Sequence, residues 1–116
     1  MVKINNNFWK NKKVFITGHT GFKGAWLCLW LKFLGANILG YSLPLSKNEI
    51  LFKKLNTKLN IKSIYGDISD FKKLGKSIRN FKPDIIFHLA AQPLVIDSYK
   101  KPIYTMSTNI IGTANL

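Results

Sequence analysis

The stretch Lys13-Val14-Phe15-Ile16-Thr17-Gly18-His19-Thr20-Gly21-Phe22-Lys23-Gly24 decides how this chain folds. Its first part is a short apolar run closed by a glycine, the pattern of a strand buried on both faces. Three glycines spaced G-x-x-G-x-x-G come next. From Gly21 to Leu34 the residues are apolar on nearly all sides, as in a buried helix that ends at Gly35. Glycines alone make only a structural turn, but between a strand and a helix each has a task. Gly18 permits a tight turn, Gly21 a close approach of a diphosphate to the backbone, and Gly24 close packing of helix on strand. Free N–H groups from Phe22 and Lys23 onward would face that diphosphate and favour its charge.

Outward from this segment, strands alternate with helices. Asn37–Tyr41 reads as a second strand, Ile61–Tyr65 as a third and Asp84–Leu89 as a fourth. Between them, Lys47–Leu55 is expected to form a short basic helix or turn with Ile50, Leu51 and Leu55 on its apolar side. Asp70 is expected to cap a helix reaching about Phe81, with Phe71, Leu74 and Ile78 on one face. A loop should follow the fourth strand, and Pro102 suits the first turn of a last helix. Such alternation implies right-handed crossovers and an α/β fold, a Rossmann-type doubly wound parallel sheet. The expected strand order is three-two-one-four, with the ligand crevice between the first and fourth strands. Residues 1–116 then form the N-terminal part of a dinucleotide-binding domain. The chain stops inside an apolar-periodic helix at Thr113-Ala114-Asn115-Leu116, so the sheet is expected to be truncated after its fourth strand and following helix.

Composition narrows the function. An apolar fraction of 47% suits a folded chain. No apolar run reaches the roughly 18 residues of a membrane span. The opening residues, Met1 to Asn7, are polar and lack the apolar core of a secretory signal. A single cysteine, Cys28, has no disulfide partner and no metal-site partner, so no metal is expected and a reducing cytoplasm is favoured. The net charge of +13 hints at nucleic acid, yet the lysines are scattered and only Arg79 offers a guanidinium fork. Nucleic-acid binding is therefore not expected as the main function.

Several side chains stand where a ligand would lie. Asp67, in Gly66-Asp67-Ile68 at the end of the third strand, is placed to accept from an adenine amino group, the alternative being a helix cap. His88-Leu89-Ala90-Ala91-Gln92 closes the fourth strand, and its two alanines leave room for a flat ligand. His88 reads as a hydrogen-bonded packing residue rather than a catalyst. Gln92 is a candidate substrate contact. Asn109 is a poor helix former inside a helix; either it ties that helix to the fourth-strand loop or it faces solvent. Trp26 and Trp30, four residues apart, are expected to pack in the core or at an interface.

Thr-Gly-x-x-Gly-x-x-Gly, Gly66-Asp67-Ile68, His88 to Gln92 and Thr108-Asn109-Ile110-Ile111-Gly112-Thr113 together resemble the extended short-chain dehydrogenase/reductase family of sugar-nucleotide enzymes. Phe8-Trp9, Gly18 to Trp26 and Ala90 to Val95 are similar, more narrowly, to its CDP-glucose 4,6-dehydratase branch. The resemblance implies NAD as cofactor. Gly18, Gly21 and Gly24 would line its pyrophosphate with backbone help from Phe22 and Lys23. Asp67 and Ile68 would border the adenine, Leu89, Ala90 and Ala91 the ribose and nicotinamide, and Asn109 would support the loop. It implies CDP-glucose as substrate: a hydride leaves C4, water leaves across C5 and C6, and the hydride returns to C6. The product, CDP-4-keto-6-deoxyglucose, would serve surface-polysaccharide synthesis. It also implies a cytoplasmic homodimer formed through the helix after the fourth strand.

Three departures qualify that picture. Tyr41-Ser42-Leu43 ends the second strand where many relatives carry an acidic residue for the ribose 2′-OH, leaving NAD against NADP open. Ile96-Asp97 follows Val95 where many relatives have a basic residue. No tyrosine is followed four residues later by lysine (Leu45, Ser69, Ile103 and Thr108 stand there instead), so the family's catalytic Tyr-x-x-x-Lys is expected beyond Leu116, with none of the catalytic residues in this stretch. These residues alone should bind a nucleotide without completing the chemistry. Another sugar-nucleotide epimerase or dehydratase, and a non-catalytic dinucleotide-binding module, remain the alternatives.

Overall fold

In a computed structural model describing residues 6–116, four parallel strands form one sheet in the order β3-β2-β1-β4. The strands are β1 Lys13–Thr17, β2 Asn37–Ser42, β3 Lys62–Tyr65 and β4 Ile85–His88. This is the expected order. Crossovers step β1 to β2 to β3 in one direction, and the return over a helix sets β4 on the other side of β1. The polar opening residues 1–5 lie outside the described part. Helices α1 Asn6–Trp9, α2 Phe22–Phe33, α3 Ile50–Leu59 and α4 Phe71–Phe81 precede or connect the strands.

The central strand β1 is buried from Val14 to Thr17. Strand alternation sends Val14 and Ile16 to one side, where they meet Ala25, Cys28, Leu31, Ile38 and Phe52. Phe15 goes to the other side, with Leu39, Tyr41, Ile68 and Leu74. Burying each such large apolar side chain contributes about 1.5–3 kcal/mol. The α/β sheet is thus covered on both faces, as a purely parallel sheet requires.

Helix α2 ends in a Schellman motif. Gly35 lies at φ +86, its N–H reaches the Lys32 carbonyl, and the Ala36 N–H reaches the Leu31 carbonyl. The small stripe Gly24, Ala25, Cys28 and Leu31 takes the sheet contact. Trp26 and Trp30 therefore fall on the outer side, 50% and 57% exposed, and the core placement is corrected.

Helix α3 starts later and runs further than the expected Lys47–Leu55, because Glu49 accepts the Ser46 N–H and holds the preceding residues in a turn. Its buried residue is Phe52, drawn beneath the His19 ring in an edge contact at 4.9 Å, whereas Ile50 is exposed. Asp70 caps α4 by accepting the Lys73 N–H at 3.0 Å, as expected. Phe71 is exposed rather than on the packed face, since the first residue of a helix leans over the turn before it; Leu74 and Ser77 make the buried stripe.

The segment expected as loop after β4 holds a short helix, α5 Val95–Lys100. None of its residues is buried, so it leaves no apolar periodicity to read. Helix α6 begins at Pro102, as expected, and runs to Met106. It passes into a π-turn at Ser107–Ile111 and ends as α7 Gly112–Ala114. Gly112 sits against the Ile68 side chain, where an added Cβ would come within 2.5 Å of Cδ1.

Candidate functional site

The sheet register brings Thr17 beside both Tyr41 and His88, so three strands end at one level. Above that edge lies an open cleft of about 280 Å³ whose walls include Gly18, Gly21, Asp67, Ile68, Leu89, Ala90 and Ala91. Seven residues separated in sequence are thereby brought to one crevice, between the first and fourth strands and extending over the third.

The glycine turn is built as its spacing implies. Gly18 has φ +70, and a Cβ there would lie 2.7 Å from the Ala90 nitrogen. A Cβ on Gly24 would lie 2.2 Å from the Gly18 carbonyl oxygen, so α2 packs directly on the turn. Gly21 differs. Its φ of −67 suits any residue, and a Cβ would meet nothing closer than the Gly18 oxygen at 3.5 Å. Nothing in the fold demands glycine at position 21; the space beside it opens into the cleft.

Gly21 is also the N-cap of α2, and no side chain caps the helix. Ala25 is the first residue whose N–H returns to it, at 2.8 Å. The amides of Phe22, Lys23 and Gly24 come before that bond and have no intrahelical acceptor. Their positive helix end suits an anion. The side chains of Phe22 and Lys23 are exposed and do not line the cleft; only their backbone serves this edge.

A directed chain of hydrogen bonds shapes the β4 wall. The Thr17 hydroxyl oxygen accepts the N–H groups of Leu89 at 3.1 Å and Ala90 at 3.2 Å, leaving its proton for His88 Nδ1 at 2.7 Å. His88 Nε2 then carries the ring proton and donates to Thr113 Oγ1 at 2.9 Å, whose own proton goes to the Asn109 carbonyl at 2.6 Å. This pattern requires the neutral imidazole, and burial lowers the His88 pKa in the same sense. His88 is a hydrogen-bonded packing residue, as read from sequence. Asn109 does not face solvent: both ends of its amide bond the backbone of Gln92.

Gln92 is occupied locally. Its Nε2 donates to the Leu94 carbonyl and to Thr105 Oγ1, and its Oε1 accepts the Leu94 N–H. It shapes the loop leading to α5 and is not among the cleft-lining residues. Asp67 Oδ1 accepts the N–H and hydroxyl of Ser69, both at 2.8 Å. Its backbone carbonyl accepts from Tyr41 Oη at 3.1 Å. Burial, then Asp70 and Asp67, push the Tyr41 pKa up to about 12, so that phenol remains a donor.

Among the cleft residues that sequence reasoning missed are Thr20, Ser42, Glu49 and Thr108. Glu49 is brought there from the N-terminus of α3, where its Oε1 accepts the Thr20 hydroxyl at 2.5 Å. No local spacing signals a contact across 29 residues. Among the described residues no lysine or arginine lines this cleft, although the chain has eighteen. No group of His, Cys, Asp and Glu able to hold a metal occurs among the described residues, and no described helix is long and apolar enough to cross a membrane.

Comparison with known proteins agrees with this fold. Residues 15–116 match the family described as GDP-mannose 4,6 dehydratase. The chain is 53% identical, over 97% of its length and 32% of the relative's, to CDP-glucose 4,6-dehydratase of Salmonella typhimurium. An epimerase structure from Methanothermobacter thermautotrophicus superposes with TM-score 0.81 at 28% identity, covering 95% of this chain and 32% of that one. The Thermus thermophilus UDP-glucose 4-epimerase, solved in complex with NAD, gives 0.76 at 27% identity, covering 90% and 32%. The chain spans about a third of the length of the curated relatives it matches.

Proposed function

The chain belongs to the GDP-mannose 4,6 dehydratase family, and from that premise we propose that it forms the NAD-binding part of a CDP-glucose 4,6-dehydratase. The observation that carries the cofactor half is the uncapped start of α2 beside Gly21, a glycine the fold itself does not need. A pyrophosphate fits there: three amides lack partners among the described residues and no Cβ stands in the way. Asp67 and Ile68 border the adenine, while Leu89, Ala90 and Ala91 flank the ribose and nicotinamide. Asn109 holds the loop in place, and the Gln92 backbone it grips marks the substrate side. When bound, NAD supplies the transient hydride acceptor for a redox-neutral loss of water from the sugar.

The substrate half rests on the 53% identity with the Salmonella typhimurium enzyme. Water loss from CDP-glucose gives CDP-4-keto-6-deoxyglucose, a precursor for surface polysaccharide. No tyrosine of these 116 residues is followed four residues later by lysine, so no catalytic tyrosine-lysine pair is proposed within them. Exposed Ile103, Met106, Ile110 and Ile111 on the α6 and π segment support pairing of two copies along that helix. The test is assay of the full-length protein with NAD and CDP-, dTDP- or GDP-sugars. Formation of the 4-keto-6-deoxy product from CDP-glucose is expected; turnover of another nucleotide sugar alone would reject the substrate assignment.

A further inference from the structure

The second strand ends in Ser42-Leu43, without the carboxylate that commonly holds an adenosine ribose in this fold. Ser42 turns its hydroxyl back onto the Leu43 carbonyl at 2.9 Å. A carboxylate nevertheless reaches the same part of the cleft. Glu49, at the N-terminus of α3, lines it together with Gly21, Ser42 and Leu43. It is pinned from two directions: Oε1 accepts the hydroxyl of Thr20 at 2.5 Å, and Oε2 accepts the Ser46 N–H at 2.6 Å. Thr20 belongs to the glycine turn and is only 4% exposed, so it fixes the carboxylate over that turn.

We propose that Glu49 is the residue that makes this site select NAD over NADP. Each carboxylate oxygen can accept about two hydrogen bonds and uses one, leaving capacity for a ribose 2′-hydroxyl. A 2′-phosphate at that place would meet a fixed negative charge. Among the described residues no lysine or arginine lines the cleft to offset it, and the nearby Lys53 ammonium is held on the Ser46 carbonyl at 2.8 Å. The selection acts on both forms: a charge-assisted bond for the hydroxyl and like-charge repulsion for the phosphate. Glu49 has this role only if a dinucleotide occupies the crevice as proposed above.

The test is titration of NAD and NADP, separately, into the full-length protein freed of nucleotide, and into its Glu49→Gln and Thr20→Val variants. Wild type should prefer NAD, and Glu49→Gln should shrink the preference by about tenfold to a hundredfold, the size of one charge-assisted hydrogen bond. Thr20→Val removes a tether and keeps the charge, so it should weaken NAD and shrink the preference by less than Glu49→Gln does. A Glu49 that merely braces the loop would change both affinities together in Glu49→Gln, and an unchanged ratio overturns the proposal. A wild type that binds NADP as tightly as NAD overturns it whatever the variants do. Binding of neither dinucleotide removes the cofactor assignment itself, and this selectivity with it.

Discussion

Asn109 grips the backbone of Gln92 at both ends, its Oδ1 accepting the Gln92 N–H at 2.8 Å and its Nδ2 donating to the Gln92 carbonyl at 3.1 Å. The clasp joins the π-turn at Ser107–Ile111 to the loop that leaves β4, and so sets the wall formed by Leu89, Ala90 and Ala91. Asn109→Ala leaves two part-buried backbone groups without partners, at about 1–3 kcal/mol. Amide hydrogen exchange at Gln92 should accelerate about tenfold or more, and NAD should bind more weakly. Asn109→Asp keeps the acceptor but sets a carboxylate against the Gln92 carbonyl, so it should not rescue.

Gly18 and Gly21 should separate stability from binding. Gly18→Ala forces a side chain into φ +70 and against the Ala90 backbone, and should cost about 1–3 kcal/mol or more in chemical unfolding. Gly21→Ala brings its methyl into ordinary contact with the Gly18 carbonyl oxygen and should change stability by only about 0.5 kcal/mol. That same methyl faces the site proposed for the pyrophosphate, so NAD affinity should fall steeply. Equal effects of both variants on melting would contradict the assignment.

His19 predicts a pH dependence of stability. Its ring is fully buried, with Nε2 on Ser63 Oγ at 2.7 Å and Nδ1 without a partner among the described residues. Burial lowers its pKa from 6.5 to about 4, against the opposing pull of the Tyr41 backbone and Glu49. Above pH 6.5 neither the folded nor the unfolded imidazole holds the extra proton, and the group costs nothing. Between 6.5 and 4 only the unfolded chain takes it up, so stability should fall as pH falls, by about 3 kcal/mol in all, and level off below 4. Urea unfolding of wild type minus His19→Gln across this range measures the difference. A flat difference would show that the ring is not held neutral.

Cys28 is buried in the α2 contact with the sheet, and burial pushes its thiol up to about 12. The thiolate is the reactive form, so native protein at neutral pH should resist disulfide reagents and react only through opening. Labelling should speed up by orders of magnitude in denaturant. Fast labelling of the folded protein would contradict the burial.

The glycine turn and the Asp70 cap were legible in the residues, because each depends on neighbours within one element or one turn, and the strand order followed from the alternation of strands and helices under the rules for crossovers. A continuous apolar run marked Val14 to Ile16, and a glycine spacing marked the turn, whatever the rest of the chain did. The inner and outer faces of α2 were not legible. A helix apolar all round carries no internal sign of which stripe meets the sheet, and only packing showed that Ala25 and Cys28 go in while Trp26 and Trp30 stay out.

By itself, then, the sequence determined the class of fold, the place of the glycine turn and the residues beside it, since backbone conformation and hydrophobic pattern are local properties. Tertiary structure alone decided that Thr17, His88, Thr113 and Asn109 form one directed chain of bonds, and that Glu49 crosses to Thr20. Contacts between residues 29 or 71 positions apart follow from how crossovers bring strand ends to a common edge, and no local pattern encodes them.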